Sequence, residues 1–96
     1  MSREERMSSE QLPSPRTDLL ERPLGSELAL FDVEKGIVHT LNPSATVVWR
    51  VLAASAEQKD LVEALQEAFG IDGSEAERGV VEALGQFRQL DLVVGR

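Results

Sequence analysis

GSELALFDVEKGIVHTLNPSATVVWRVL, residues 25–52, is the stretch on which the fold turns. It reads as a β-hairpin running straight into a helix. Residues 27–32 form one strand, with Leu28, Ala29, Leu30 and Phe31 in an unbroken apolar run, and residues 37–41 form the other. Between them Asp32, Val33, Glu34, Lys35 and Gly36 have the polar, glycine-ended composition of a short hairpin loop. The helix start is the sharpest local signal. The side-chain oxygen of Asn42 can accept from an unpaired amide of the first turn. Pro43 follows at the first helical position, where its fixed φ fits and its missing N–H is not needed.

Working outward, the helix from Pro43 is apolar nearly all round. Ala45, Val48, Trp49 and Leu52 follow the i, i+3, i+4, i+7 pattern, Val47 and Val51 add a second stripe, and Arg50 is the only charge. Such a helix is central to its domain, and Trp49, the single tryptophan, reads as a core anchor. A second helix spans residues 58–69, with Leu61, Leu65, Ala68 and Phe69 inward. Gly70 supplies its left-handed ending, and Ile71 supplies the apolar contact that accompanies such an ending. The third helix opens at Ser74 with a Ser-Glu-Ala-Glu capping box and runs to about Leu90, placing Val80, Ala83, Leu84 and Phe87 inward. Gly79 and Gly85 inside it mark either a close approach of another backbone or tolerated solvent-side glycines. Leu92, Val93 and Val94 form a short extended tail able to close the core. Upstream, residues 18–24 make a first, irregular strand, which Pro23 confines to an edge or end position. Residues 1–17 are rich in Ser, Pro and charge and read as a loose tail.

Composition narrows the function classes. Ninety-six residues make one domain, here residues 18–96 with a disordered N-terminal tail, and the absence of cysteine points to a reducing, cytoplasmic setting. No run approaches the ~20 apolar residues of a membrane span, so no membrane partner is expected. A net charge of −7 argues against nucleic acid, whose phosphates demand clustered Lys and Arg. Between Glu57 and Asp91 the acids outnumber the bases nine to three, which removes the last two helices as a DNA-reading pair. Catalysis also finds no support. His39 is the only histidine and lies in a strand, with no companion set for a nucleophile or a metal. The chain therefore reads as a binding protein rather than an enzyme, with no cofactor.

The element order is β-β-β-α-α-α: a three-stranded antiparallel sheet followed by three helices, an α+β domain of winged helix-turn-helix type. Leu41-Asn42-Pro43-Ser44-Ala45, then Trp49 and Leu52, after a hairpin with Asp32 and Gly36 four residues apart, resembles the PqqD-like proteins. Leu61, Val62, Leu65, Phe69 and Gly70 fit the same pattern, as do Leu84, Phe87 and the closing Leu90-Asp91-Leu92-Val93. The resemblance covers residues 20–94, and its joint spacing is more specific than any single motif. These proteins are precursor-peptide recognition elements in pathways that make ribosomally synthesised, post-translationally modified peptides. Residues 41–45 are closer to the wider family, which includes stand-alone lasso-peptide proteins, than to true pyrroloquinoline-quinone members. Two positions depart from the pattern. Asp91 stands where the family has glycine, and Ser55 or Glu57 stands where a Thr often caps the second helix.

The resemblance implies that the leader part of a precursor peptide is held as an added strand on the third strand, against the third helix. Ile37, Val38, His39, Thr40 and Leu41 would give the main-chain bonds. Val80, Val81, Leu84, Gly85 and Arg88 would give the side-chain wall. It implies as partners the precursor peptide and a modifying enzyme such as a protease, cyclase or radical SAM enzyme. Two other classes stay open at this point: a non-catalytic subunit docking on a larger protein and, less favoured by charge, a winged-helix DNA-binding protein.

Overall fold

The computed structural model describes residues 12–54 and 57–95. Strands β2 (Leu20–Leu24), β3 (Glu27–Asp32) and β4 (Ile37–Leu41) form an antiparallel sheet in that order. Helices α1 (Pro43–Ala54), α2 (Gln58–Phe69) and α3 (Gly73–Gln89) follow. A separate two-stranded pairing joins β1 (Ser14–Pro15) to β5 (Val93–Val94). The expected α+β architecture is present, with α1 packed on the sheet and on both other helices.

The hairpin closes as its composition suggests. Asp32 O accepts from Gly36 N at 2.7 Å, and the Asp32 side chain accepts from Lys35 N at 3.1 Å. Gly36 takes φ 69°, the left-handed region that glycine enters without a Cβ penalty. Alternation then sorts the strands into two faces. Leu28, Leu30 and Leu41 face the helices and are fully buried, and Asp32 is buried on the same side. Ala29, Phe31, Val38 and Thr40 face the other way.

Helix ends follow their local chemistry. Asn42 Oδ1 accepts from Ala45 N at 2.8 Å, so Asn42 caps α1 with Pro43 first in the helix. Gly70 ends α2 at φ 65° with its N–H on Gln66 O. The start of α3 differs from the expected capping box. Asp72, not Ser74, is the cap: its Oδ1 accepts from Glu75 N at 2.8 Å, and Ser74 Oγ donates to the same oxygen at 3.2 Å. Aspartate caps as well as serine does, and a cap two residues earlier adds backbone hydrogen bonds to the helix. At the other end Asp91 takes φ 60°, so this aspartate accommodates the left-handed turn.

Trp49 is the centre of the core. Its ring meets Phe87 edge-on, with centroids 5.1 Å apart, and its Nε1 donates to Glu21 of β2 at 3.0 Å. This satisfies the one polar atom of a buried indole.

The loose tail expected for residues 1–17 lies outside the described residues up to 11, but residues 12–17 are part of the fold. Leu12 packs on the core, Ser14 pairs with Val94, and Arg16 N donates to Leu92 O at 3.0 Å. The Arg16 side chain donates to the buried Asp32 carboxylate at 2.9 Å, to Asp91 O at 2.8 Å and, through two nitrogens, to Asp18. Lys35 closes the group by donating to Asp91 at 2.9 Å. Composition concealed these contacts because all but the one to Asp18 are made with residues distant in sequence.

Candidate functional site

Being last in the sheet, β4 pairs only with β3, so one row of its main-chain groups meets no strand among the described residues. Such a row is a template for another strand. Ile37-Val38-His39-Thr40-Leu41 contains no proline, lysine or carboxylate, the usual devices that block edge pairing. The row ends near Leu41, whose carbonyl already accepts from Thr46 Oγ at 3.2 Å.

Helix α3 passes the residues that flank β4 in the opposite order, as their neighbours at each end show. At the end of β4, Asn42 and Ser44 share a small cleft of about 60 Å3 with Gly79, Glu82 and Gln86. At its start, Lys35 in the hairpin reaches Asp91 in the turn after α3. The flank of α3 turned toward the residues that follow β4 is therefore the one that carries Glu82 and Gln86.

The residues expected for the site divide accordingly. The Leu41 side chain is buried in the core, as are Val80 and Leu84 on α3. Ile37, Val38 and Thr40 are exposed. His39 lies half-buried on the inner side of β4, opposite Leu30, and its Nε2 is shielded without a hydrogen-bond partner among the described residues. On α3, Val81 and Arg88 are exposed, but at ~100° per residue they sit roughly 100–120° round the helix from Glu82. Gly85 faces open space: a Cβ built there meets nothing within 4 Å, so no other backbone among the described residues approaches it. Gly79 is the crowded glycine, with a built Cβ 3.1 Å from Leu65 Cδ1. Glu82 and Gln86 were missed because the inward pattern of α3 distinguishes buried from exposed, not which exposed flank meets β4.

The electrostatics concentrate at the hairpin end. The Arg16 guanidinium holds the Asp32 carboxyl below the usual carboxylate range, against the desolvation that pushes it up, and Lys35 N adds to the lowering. Lys35 likewise holds Asp91 low, Arg16 lowers Asp18, and the capping bond from Glu75 N lowers Asp72. Among the described residues no cluster of three or more His, Cys, Asp or Glu is placed to hold a metal ion. No helix there is long and apolar enough to cross a membrane.

A three-stranded antiparallel sheet with one undefended edge, followed by three helices of which the last runs beside that edge, defines an α+β domain of winged-helix type. The chain belongs to the PqqD family, whose model, described as Coenzyme PQQ synthesis protein D (PqqD), matches residues 27–93. Among solved structures, that of TbiB1 in complex with the TbiA(beta) leader peptide shares the fold. It superposes with a TM-score of 0.75 at 17% sequence identity, covering 86% of this chain and 96% of TbiB1. No curated protein matches the sequence.

Proposed function

We propose that this protein binds the leader region of a ribosomally synthesised precursor peptide, as a strand added to β4 beside α3. It presents that precursor to a modifying enzyme of the protease, cyclase or radical SAM class. One observation carries the reading: β4 is an outer strand with no residue that blocks pairing. Main-chain hydrogen bonds to such an edge supply affinity with little sequence demand, and the flanking helix supplies selectivity. The likeness to TbiB1, whose structure holds a leader peptide, supports it, as does membership of the PqqD family. In this reading the protein performs no bond-making step; it raises the local concentration of the precursor at the enzyme.

On this reading the main chain of residues 37–40 binds, and Ile37 and His39 face the added strand's inward side chains. Glu82 and Gln86 form the wall on α3. Val81 and Arg88 contribute only if the peptide wraps further round the helix, and Gly85 leaves that surface open. Leu41, Val80 and Leu84 act from beneath, by fixing the positions of strand and helix.

The test uses overlapping synthetic peptides from short reading frames encoded near this gene, with binding followed by fluorescence anisotropy. Consecutive amides of an antiparallel edge point to opposite sides. Proline at one of Val38 and His39 should therefore leave a folded protein that no longer binds, and at the other should break the hairpin. Two folded variants that bind as the parent does would exclude strand addition at β4.

A further inference from the structure

The sheet face turned away from the helices carries a second apolar surface. Leu20 of β2 pairs with Phe31 of β3, which pairs with Val38 of β4, so one cross-strand row runs over all three strands. Its members are 58%, 38% and 61% exposed, high for aligned large apolar side chains. They border a shallow cleft of about 450 Å3 shared with Ala29, Glu21 and Arg22. The row ends at the same open edge of β4.

We propose that this row is a second reading surface for the bound peptide, completed by one large apolar side chain opposite Val38. The inference rests on strand addition to β4 and adds a specificity to it. The pleat forces this geometry. Side chains of an added strand alternate between the two faces, and the residue directly across from Val38 must share Val38's face. Cross-strand neighbours stand about 5 Å apart and diagonal ones about 7–8 Å, within reach of a long aliphatic or aromatic side chain. The adjacent outward position, opposite Thr40, meets a polar edge residue with small Ala29 behind it, so a polar side chain suits it. The ligand class is thus an extended peptide with a large apolar residue and, two positions away on the same face, a polar one.

The continuity of the row with the binding edge favours the peptide as occupant.

The experiment takes the parent protein, Val38→Lys and Phe31→Ser, with the best-binding synthetic peptide and a set in which each of its residues is changed in turn to Glu. Both substitutions are at exposed positions, and circular dichroism confirms folding. Val38→Lys should weaken the unmodified peptide at least about fivefold, the size of one good cross-strand pair, since an edge lysine also deters pairing. Glu at one peptide position only should restore binding to Val38→Lys while weakening binding to the parent. Phe31→Ser should produce a smaller loss confined to that peptide position. Unchanged affinity in both variants, or a loss that no single peptide position rescues, overturns the proposal. A change in sedimentation of Val38→Lys without a change in peptide affinity assigns the row to self-association and also overturns it. If the parent itself binds none of the peptides, the leader-binding reading fails first, and this inference with it.

Discussion

The two edges of the sheet are built on opposite principles. β2 carries Leu-Glu-Arg-Pro-Leu: two charges, and a proline that cannot donate to a neighbouring strand. It is also tied down from behind, because Glu21 accepts the indole N–H of Trp49. β4 carries Ile-Val-His-Thr-Leu, with nothing to deter pairing, and the hairpin that precedes it is fastened by the ionic group of Arg16, Asp32, Lys35 and Asp91. Edge strands are a hazard that soluble proteins ordinarily blunt. Guarding one edge and leaving the other bare is what a protein that takes up a strand on one side requires.

The largest expected effect concerns the guarded side. Trp49→Ala removes the central ring, its edge-on contact with Phe87 and the tether to β2 together. A loss of about 3–5 kcal/mol is expected, most of the stability of a domain this small. Trp49→Phe separates the parts: it retains much of the packing and leaves Glu21 unpaired, and should cost clearly less. Urea denaturation of both variants measures this. Equal losses would show that the hydrogen bond to β2, not the ring's volume, dominates.

Next comes the fastening of the open side, which depends on pH. Asp32 is about 1% exposed and its carboxyl is held below the ordinary range by Arg16. Because the folded value is the lower one, the folded state favours the ionised form. That contribution is complete above the unfolded carboxylate value of about 3.9 and is lost as pH falls through the folded value. Asp91 and Asp18 shift in the same direction and act in the same window. The urea midpoint should thus fall as pH drops below about 4. Asp32→Asn should be less stable at neutral pH, because Arg16 loses a charged partner in a part-buried site, and should show a shallower decline in acid. Identical pH slopes for parent and variant would remove Asp32 from the fastening.

How legible this was in the sequence follows from the range of each interaction. Asn42-Pro43 announces the start of α1 because capping is settled within four residues, and Gly70 announces the end of α2 for the same reason. Pro23 correctly placed β2 at an edge. The run Leu28-Ala29-Leu30-Phe31 defines a strand but not its faces, since apolar residues on both sides hide the period of two. Only the register with β2 and β4 reveals that Leu28 and Leu30 are core while Phe31 belongs to an exposed row. The pairing of Ser14-Pro15 with Val93-Val94 joins the two ends of the described chain, and no local pattern could announce it. The same holds for the flank of α3 that lies beside β4. Its amphipathic period places Val80, Ala83, Leu84 and Phe87 inward, as found, yet cannot choose between Glu82 and Val81 as the residue beside the strand.

The smallest effect tests that last choice, using the two glycines of α3. Gly85 lies in a helix interior, exposed, with open space where a Cβ would go. Alanine there restricts the unfolded chain and suits the helix, so Gly85→Ala should raise stability by about 0.5–1 kcal/mol. Gly79 has the same backbone preference but a built Cβ only 3.1 Å from Leu65 Cδ1, and Leu65 is fully buried. There the gain in propensity is offset by displacing a core side chain, and Gly79→Ala should be neutral or destabilising. Binding gives the second readout. With the peptide against the Glu82 and Gln86 flank, Gly85→Ala should keep the parent's affinity while Gln86→Ala weakens it. The reverse pattern would move the peptide round α3 toward Val81 and Arg88, and the open side of the molecule would then extend over a different flank of the helix than the one that meets β4.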